Sequence, residues 1–400
     1  MRIMRDGFFV AVAFNHLVVD LLNGQSGILL VFLALSLGLS NSDIGLITLI
    51  YISVGSLTQP LFGLLADRPG SGWLSGASLL WMAVCFSAAV LIPGRWALLA
   101  LIVGALASGV FHAAGTERAT AWGASLMPGR ITTAASVFFL FGQAGRSLGS
   151  VVGGTLLQGF GASGILALTI VAVPVALNSL YRMHWRIRLA PAALQSVAGT
   201  MPVSRGGFRS GKWVLAVFAI MMLVRTVPLG TSTTFLPKLL QDRGYSPAAY
   251  GLIASIFMAG VALGGLSGGV LADHWGRRHT VFWTLLAAAV PMYYWPVVSG
   301  PGLYPLVFIA GALNGAPHSV IVVLAQALLP RRRALASGMT LGITGTGWAL
   351  GSYLYGLAAD VYPLDLVLQT NGVVCLVSAF LVLLLWSDSG SGRGADAMAG

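Results

Sequence analysis

Charge is what this sequence lacks most. Only 8% of its 400 residues are charged and just 11 are acidic, with Glu117 the sole glutamate, against about a quarter charged in an ordinary globular domain. A water-facing surface on a chain this long needs far more, which excludes a soluble globule. Cysteine is nearly absent too. Cys85 and Cys375 both lie inside apolar runs, without the partner spacing of a disulfide framework or a thiolate metal site. There is no G-x-x-x-x-G-K-[ST] phosphate loop and no soluble segment to house an ATPase. A metal-dependent hydrolase would want carboxylates and histidines at ligand spacing, which the sequence does not display. The expectation is therefore no enzyme, no cofactor and no metal.

What fills the chain instead is apolar: 57% of residues are hydrophobic and the mean hydropathy is +0.87. Helices of about 20 apolar residues satisfy their own backbone and can cross a bilayer. Hydrophobic runs between Gly, Pro and charged punctuation predict twelve of them: 8–36, 43–66, 73–93, 97–123, 131–158, 163–182, 213–240, 248–272, 280–298, 304–329, 334–360 and 365–387. The first run imitates a signal peptide behind Arg2 and Arg5. Asn15, His16 and Asp20 interrupt it and no A-x-A site follows, so it is expected to stay as a span.

The net charge of +11 is scattered in short clusters between the runs, which reads as a topology signal and not as a nucleic-acid footprint. Sixteen of the 22 Lys and Arg fall at junctions on one side, against Arg95, Lys238 and Arg243 on the other; Arg118, Arg146 and Arg225 lie inside spans. The positive-inside rule then places both termini in the cytoplasm of a multi-pass inner-membrane protein. The expected organisation is an N-terminal six-helix bundle (1–182), a cytoplasmic linker (183–212), a C-terminal six-helix bundle (213–387) and a disordered tail (388–400). A monomer is the expectation.

The halves repeat each other in register. Gly45-Leu46, Gly63 and Asp67 recur as Gly251-Leu252, Gly269 and Asp273; Gly109 and His112 recur as Gly315 and His318; Leu148-Gly149-Ser150 recurs as Leu350-Gly351-Ser352. A nearly constant offset of this kind is the trace of an internal repeat, common in transporters.

These residues resemble the major facilitator superfamily. Its loop signature G-x-x-x-D-R-x-G-R-R/K appears as Gly63 to Gly70 with Asp67-Arg68, and more fully as Gly269 to Arg278 with Asp273, Gly276 and Arg277. The helix 5 antiporter signature G-x-x-x-G-P-x-x-G-G is matched from Gly145 to Gly154, with Ser150 in place of the proline. Within the superfamily the chain is most similar to the fosmidomycin-resistance type of drug efflux protein, through Asn15-His16, Asp20, Gln59-Pro60, Phe111-His112 and Thr234 to Pro237. The resemblance implies an all-α integral membrane protein with twelve transmembrane helices in two pseudo-symmetric six-helix bundles. It also implies secondary active export by proton antiport with alternating access; an importer or uncoupled facilitator of a metabolite is the alternative. It assigns Asp67, Arg68, Asp273 and Arg277 to a conformational latch.

Ionisable side chains within spans are costly and face a cavity or a partner. They are His16, Asp20, His112, Glu117, Arg118, Arg146, Arg225 and His318. Counting about 1.5 Å per residue from the cytoplasmic ends puts Asp20, His112, Arg225 and His318 roughly 17–18 Å deep, near the midplane. Asp20 reads either as the proton-coupling carboxylate or as half of a permanent ion pair with Arg225, in the pseudo-equivalent helix. His16, His112, Arg146, Arg225 and His318 are the candidates for binding a polar or anionic substrate, His112 and His318 also for relaying protons. For each, a purely structural contact is the competing role.

Overall fold

A computed structural model describes residues 2–66, 73–114, 122, 126, 131–186, 212–328 and 333–385. Among them every regular element is helical. The α-helices are α1 (Gly7–Leu37), α2 (Asn41–Leu57), α3 (Gln59–Ala66), α4 (Trp73–Leu91), α5 (Trp96–Ala114), α6 (Ile131–Phe160) and α7 (Leu166–Arg186). The second half holds α8 (Lys212–Asp242), α9 (Pro247–Trp275), α10 (Arg277–Tyr294), α11 (Leu303–Gly315), α12 (Pro317–Leu328), α13 (Arg333–Ala359) and α14 (Leu364–Leu383). They make twelve spans. The pairs α2/α3 and α11/α12 are single spans, interrupted at Thr58 and Ala316, whose backbones stay in the right-handed helical region. Pro60 and Pro317 follow these joints, and a proline withdraws a backbone donor from the ladder. Six of the described helices are each long and apolar enough to cross a membrane.

Local chemistry sets the turns. Asp6 caps α1 by accepting from the N–H groups of Phe8 and Phe9 (3.0 and 2.9 Å), and Gly38, at φ 63°, ends it in the left-handed region that favours glycine. Ser40 and Asp43 form a reciprocal capping box at the start of α2.

Lipid offers no hydrophobic drive between helices, so association depends on close backbone approach and polar contacts. One such seam joins α1 to α6. A methyl group at Gly24, Gly145 or Gly149 would strike the carbonyl of Arg146, Leu17 or Leu21 respectively. The helix 5 glycines are thus a packing surface that brings Arg146 against α1.

The two halves meet along α2–α13 and α6–α9, and the repeat residues sit at these seams. A Cβ at Gly45 would lie 2.5 Å from the Ser352 carbonyl oxygen, and one at Gly251 would lie 2.5 Å from that of Ser150. Gly45 and Gly251 therefore each meet the serine of the opposite half's copy, a pseudo-twofold contact. Cys85 and Cys375 are free and buried, in packing positions.

Candidate functional site

Asp20, midway along α1, is only 3% exposed. One helical turn earlier, His16 places Nε2 3.3 Å from Asp20 Oδ2. Arg146 of α6 brings Nε to 3.3 Å from the same oxygen, close enough for an ion pair but off the line of a hydrogen bond. His112 of α5 places Nε2 3.9 Å from it. The other oxygen, Oδ1, accepts from Asn23 Nδ2 at 3.1 Å. Asn23 is itself held by Ser108 Oγ (3.2 Å) and by the Tyr51 hydroxyl, which donates to its Oδ1 at 2.7 Å.

Both imidazoles are oriented from behind. His16 Nδ1 meets the Phe138 carbonyl at 3.1 Å and His112 Nδ1 the Ser108 carbonyl at 2.8 Å. A carbonyl only accepts, so each Nδ1 carries hydrogen and each ring turns its Nε2 toward Asp20. Phe138 stacks on His16 with centroids 4.4 Å apart, and the two histidine rings meet edge to face at 5.3 Å. Gly142 leaves the room for this: a Cβ there would collide with the His16 ring and lie 2.8 Å from Asp20 Oδ2. A carboxylate faced by one permanent cation and two imidazole Nε2 atoms is a site where a proton can be shared between oxygen and nitrogen.

The second half is built differently. Arg225 of α8 is 2% exposed, with an Nη2 3.4 Å from His318 Nδ1 on α12 and an Nε lacking a hydrogen-bond partner. Among the described residues no carboxylate lies within ion-pair distance of it.

The alternative reading of Asp20 as half of a permanent pair with Arg225 is therefore not what the structure shows. The glycine seam delivers Arg146 to Asp20 inside the N-terminal half, whereas Arg225 turns to His318. The structure brings His16, Asp20, His112 and Arg146 together, and Arg225 with His318 separately. Sequence reasoning missed Asn23, Tyr51 and Ser108. Asn23, three residues after Asp20 on the same helical face, was the available signal. Glu117, Arg118, Asp67 and Arg68 lie outside the described residues; Asp273 falls in the last turn of α9, its side chain likewise outside them, and Arg277 opens α10.

Residues 214–399 match the Major Facilitator Superfamily. The fosmidomycin resistance protein of Escherichia coli (strain K12) is 28% identical, with 94% of this chain and 91% of that protein covered. The second half of the chain thus carries the major facilitator family match, and the fold of the whole is that of a transporter of this kind. The gallate transporter of Pseudomonas putida is 30% identical over 44% of this chain and 39% of its own length. In fold, the transporter superposes on a bacterial homologue of the human lysosomal transporter Spinster, solved inward-facing and occupied. The TM-score is 0.78, at 15% identity, with 95% of this chain and 98% of that one covered.

The two halves are tied to each other at the end where α1 turns into α2. Asp360, closing α13, accepts from the backbone N–H groups of Asn41 and Ser42 at 2.9 and 3.1 Å, and Asn41 Nδ2 donates to the Ala359 carbonyl at 3.1 Å. At the pseudo-equivalent place, Gln158 near the end of α6 accepts from the N–H of Ala248, in the first turn of α9, at 3.2 Å. Gln241 Nε2 adds a bond to the Val31 carbonyl at 3.0 Å. Each half thus holds the first turn of a helix of the other by a side-chain acceptor, the polarity that exposed helix N-termini favour.

Proposed function

We propose that the transporter exports a small organic compound bearing an anionic group, by proton antiport with alternating access, across the bacterial inner membrane. The observation that carries this reading is Asp20: a buried carboxylate between Arg146 and the Nε2 atoms of two imidazoles. Asp20 is the coupling residue, and His16 and His112 carry its proton to and from Oδ2. Arg225, with His318 beside it and no carboxylate within ion-pair distance among the described residues, takes the cargo's anionic group. Cargo and proton then occupy different halves, which lets the two alternate. The likeness to the fosmidomycin resistance protein supports export. With both termini cytoplasmic, the end where the halves are tied is periplasmic and the state inward-facing. Asp67, Arg68, Asp273 and Arg277 then close the cytoplasmic side in the opposite state, and the transporter works as a monomer.

One observation favours a second reading, proton-linked import. An anion that grips Arg146 takes it from Asp20, and a carboxylate deprived of its cation binds a proton more tightly. Cargo and proton would then travel together.

Everted vesicles with an imposed pH gradient separate these readings, using wild type and Asp20→Asn against phosphonates, carboxylates and lipophilic cations. Antiport requires a compound that dissipates the gradient with wild type and not with Asp20→Asn, while accumulating against the proton flow. Cargo and proton leaving the vesicle lumen together supports import. Cargo movement with no proton flux sinks both in favour of a facilitator.

A further inference from the structure

The cluster around Asp20 has the makings of a second kind of site. We propose that His16, Asp20 and His112 bind a divalent first-row transition-metal ion of the zinc type. Their three ligand atoms, two Nε2 and one Oδ2, lie within 4.8 Å of one another. Bonds of about 2.0–2.2 Å in tetrahedral geometry separate neighbouring ligand atoms by roughly 3.4 Å. The His16–Asp20 separation of 3.3 Å is already there, and the His112–Asp20 separation of 3.9 Å needs about half an ångström.

The surroundings are those of metal ligands. A ligating histidine ordinarily donates its other ring N–H to a carbonyl or carboxylate, which fixes the tautomer and aims the lone pair. Here Phe138 and Ser108 carbonyls do this for both rings. Asn23 occupies Oδ1, leaving Oδ2 for the ion. Two nitrogens and one oxygen suit zinc, cobalt or nickel, whereas magnesium and calcium ask for oxygen throughout.

Arg146 is the competitor. Its Nε faces Oδ2, yet the side chain is 28% exposed while the carboxylate is 4% exposed. The arginine can therefore swing aside while Asp20 stays, and the entering ion replaces one positive charge by two. The fourth coordination position then falls where Arg146 stood. This geometry holds whichever way cargo moves.

The test uses purified, untagged, full-length protein in detergent, titrated with Zn2+ by calorimetry and with Co2+ by visible absorption. One saturating ion per chain with a tetrahedral cobalt spectrum is expected, His16→Gln or His112→Gln each weakening it roughly tenfold or more. Arg146→Gln should tighten it about tenfold, a gain that a misfolded variant would not show. No saturable binding overturns the proposal. So does binding that survives in the His16→Gln/His112→Gln double variant, which points to His274 and His279 at the surface, or binding weakened by Arg146→Gln. Asp20-dependent proton flux in a protein that binds no metal refutes the metal site alone.

Discussion

Asp360 accepts from the backbone of Asn41, 319 residues away, and so ties the end of α13 to the start of α2 across the two halves. The contact is exposed, so salt and water weaken it. A carboxylate on a helix N-terminus in such a setting contributes about 0.3–1 kcal/mol. Asp360→Ala is expected to shift the balance toward the state open at this end by roughly two- to fivefold. Double electron–electron resonance between spin labels at the exposed positions Leu35 and Val361 reads this out. Adding Gln158→Ala should enlarge the shift nearly additively, the sites being separate. An unchanged distance distribution in the double variant would mean the halves are held there by packing at Gly45 and Gly251.

Arg225 is expected to behave oppositely to a structural ion-pair residue. Burying a guanidinium without an anion is unfavourable, and replacing a buried charge by an apolar side chain of similar volume is often neutral or stabilising by about 1–4 kcal/mol. Arg225→Met should therefore raise or preserve thermal stability in detergent while lowering transport of anionic cargo at least tenfold. A marked loss of stability together with transport would assign Arg225 to holding the bundle.

Some of this was legible in the sequence, and the split has a physical cause. Hydropathy and the repeat are properties of contiguous residues, so the spans and the Gly45/Gly251 and Ser150/Ser352 correspondences could be read directly. Depth along a helix is also a local count, and it put Asp20, His112, Arg225 and His318 on one level. Rotation about the helix axis is not. Whether Asp20 faces Arg225 or Arg146 depends on which helices touch, and that is decided by backbone approach at Gly24, Gly145 and Gly149. The hydrogen-bonding shell escaped for a different reason: Asn23, Tyr51 and Ser108 are uncharged, and a search for ionisable residues in spans passes over them. His16 with Asp20, four residues apart on one helix, needed no tertiary information.

Tyr51 tests whether that uncharged shell matters. Its hydroxyl donates to Asn23 Oδ1 and so leaves the Asn23 amide hydrogens for Asp20 and Ser108. Tyr51→Phe removes one neutral hydrogen bond, a change of about 0.5–1.5 kcal/mol. The expected result is a three- to tenfold loss of Asp20-dependent proton flux, with cargo affinity little altered because Arg225 and His318 are untouched. Equal loss of both would make Tyr51 a general packing residue.

Gly142 is the most economical probe of the whole cluster, since it carries no chemistry of its own. Gly142→Ala adds one methyl where the His16 ring and Asp20 Oδ2 now sit. The ring has to move, because α1 and α6 are locked together by backbone contacts a turn away at Gly145. Overpacking of this kind costs about 1–3 kcal/mol, enough to displace His16 without unfolding twelve spans. Proton flux is expected to fall tenfold or more while the protein stays monodisperse in detergent. Gly264→Ala serves as the comparison, since its methyl would strike the Ala312 backbone in the other half, at similar packing cost and far from Asp20. If the two variants lose proton flux equally, the sensitivity belongs to helix packing in general, and the cluster around Asp20 has no special claim to the proton.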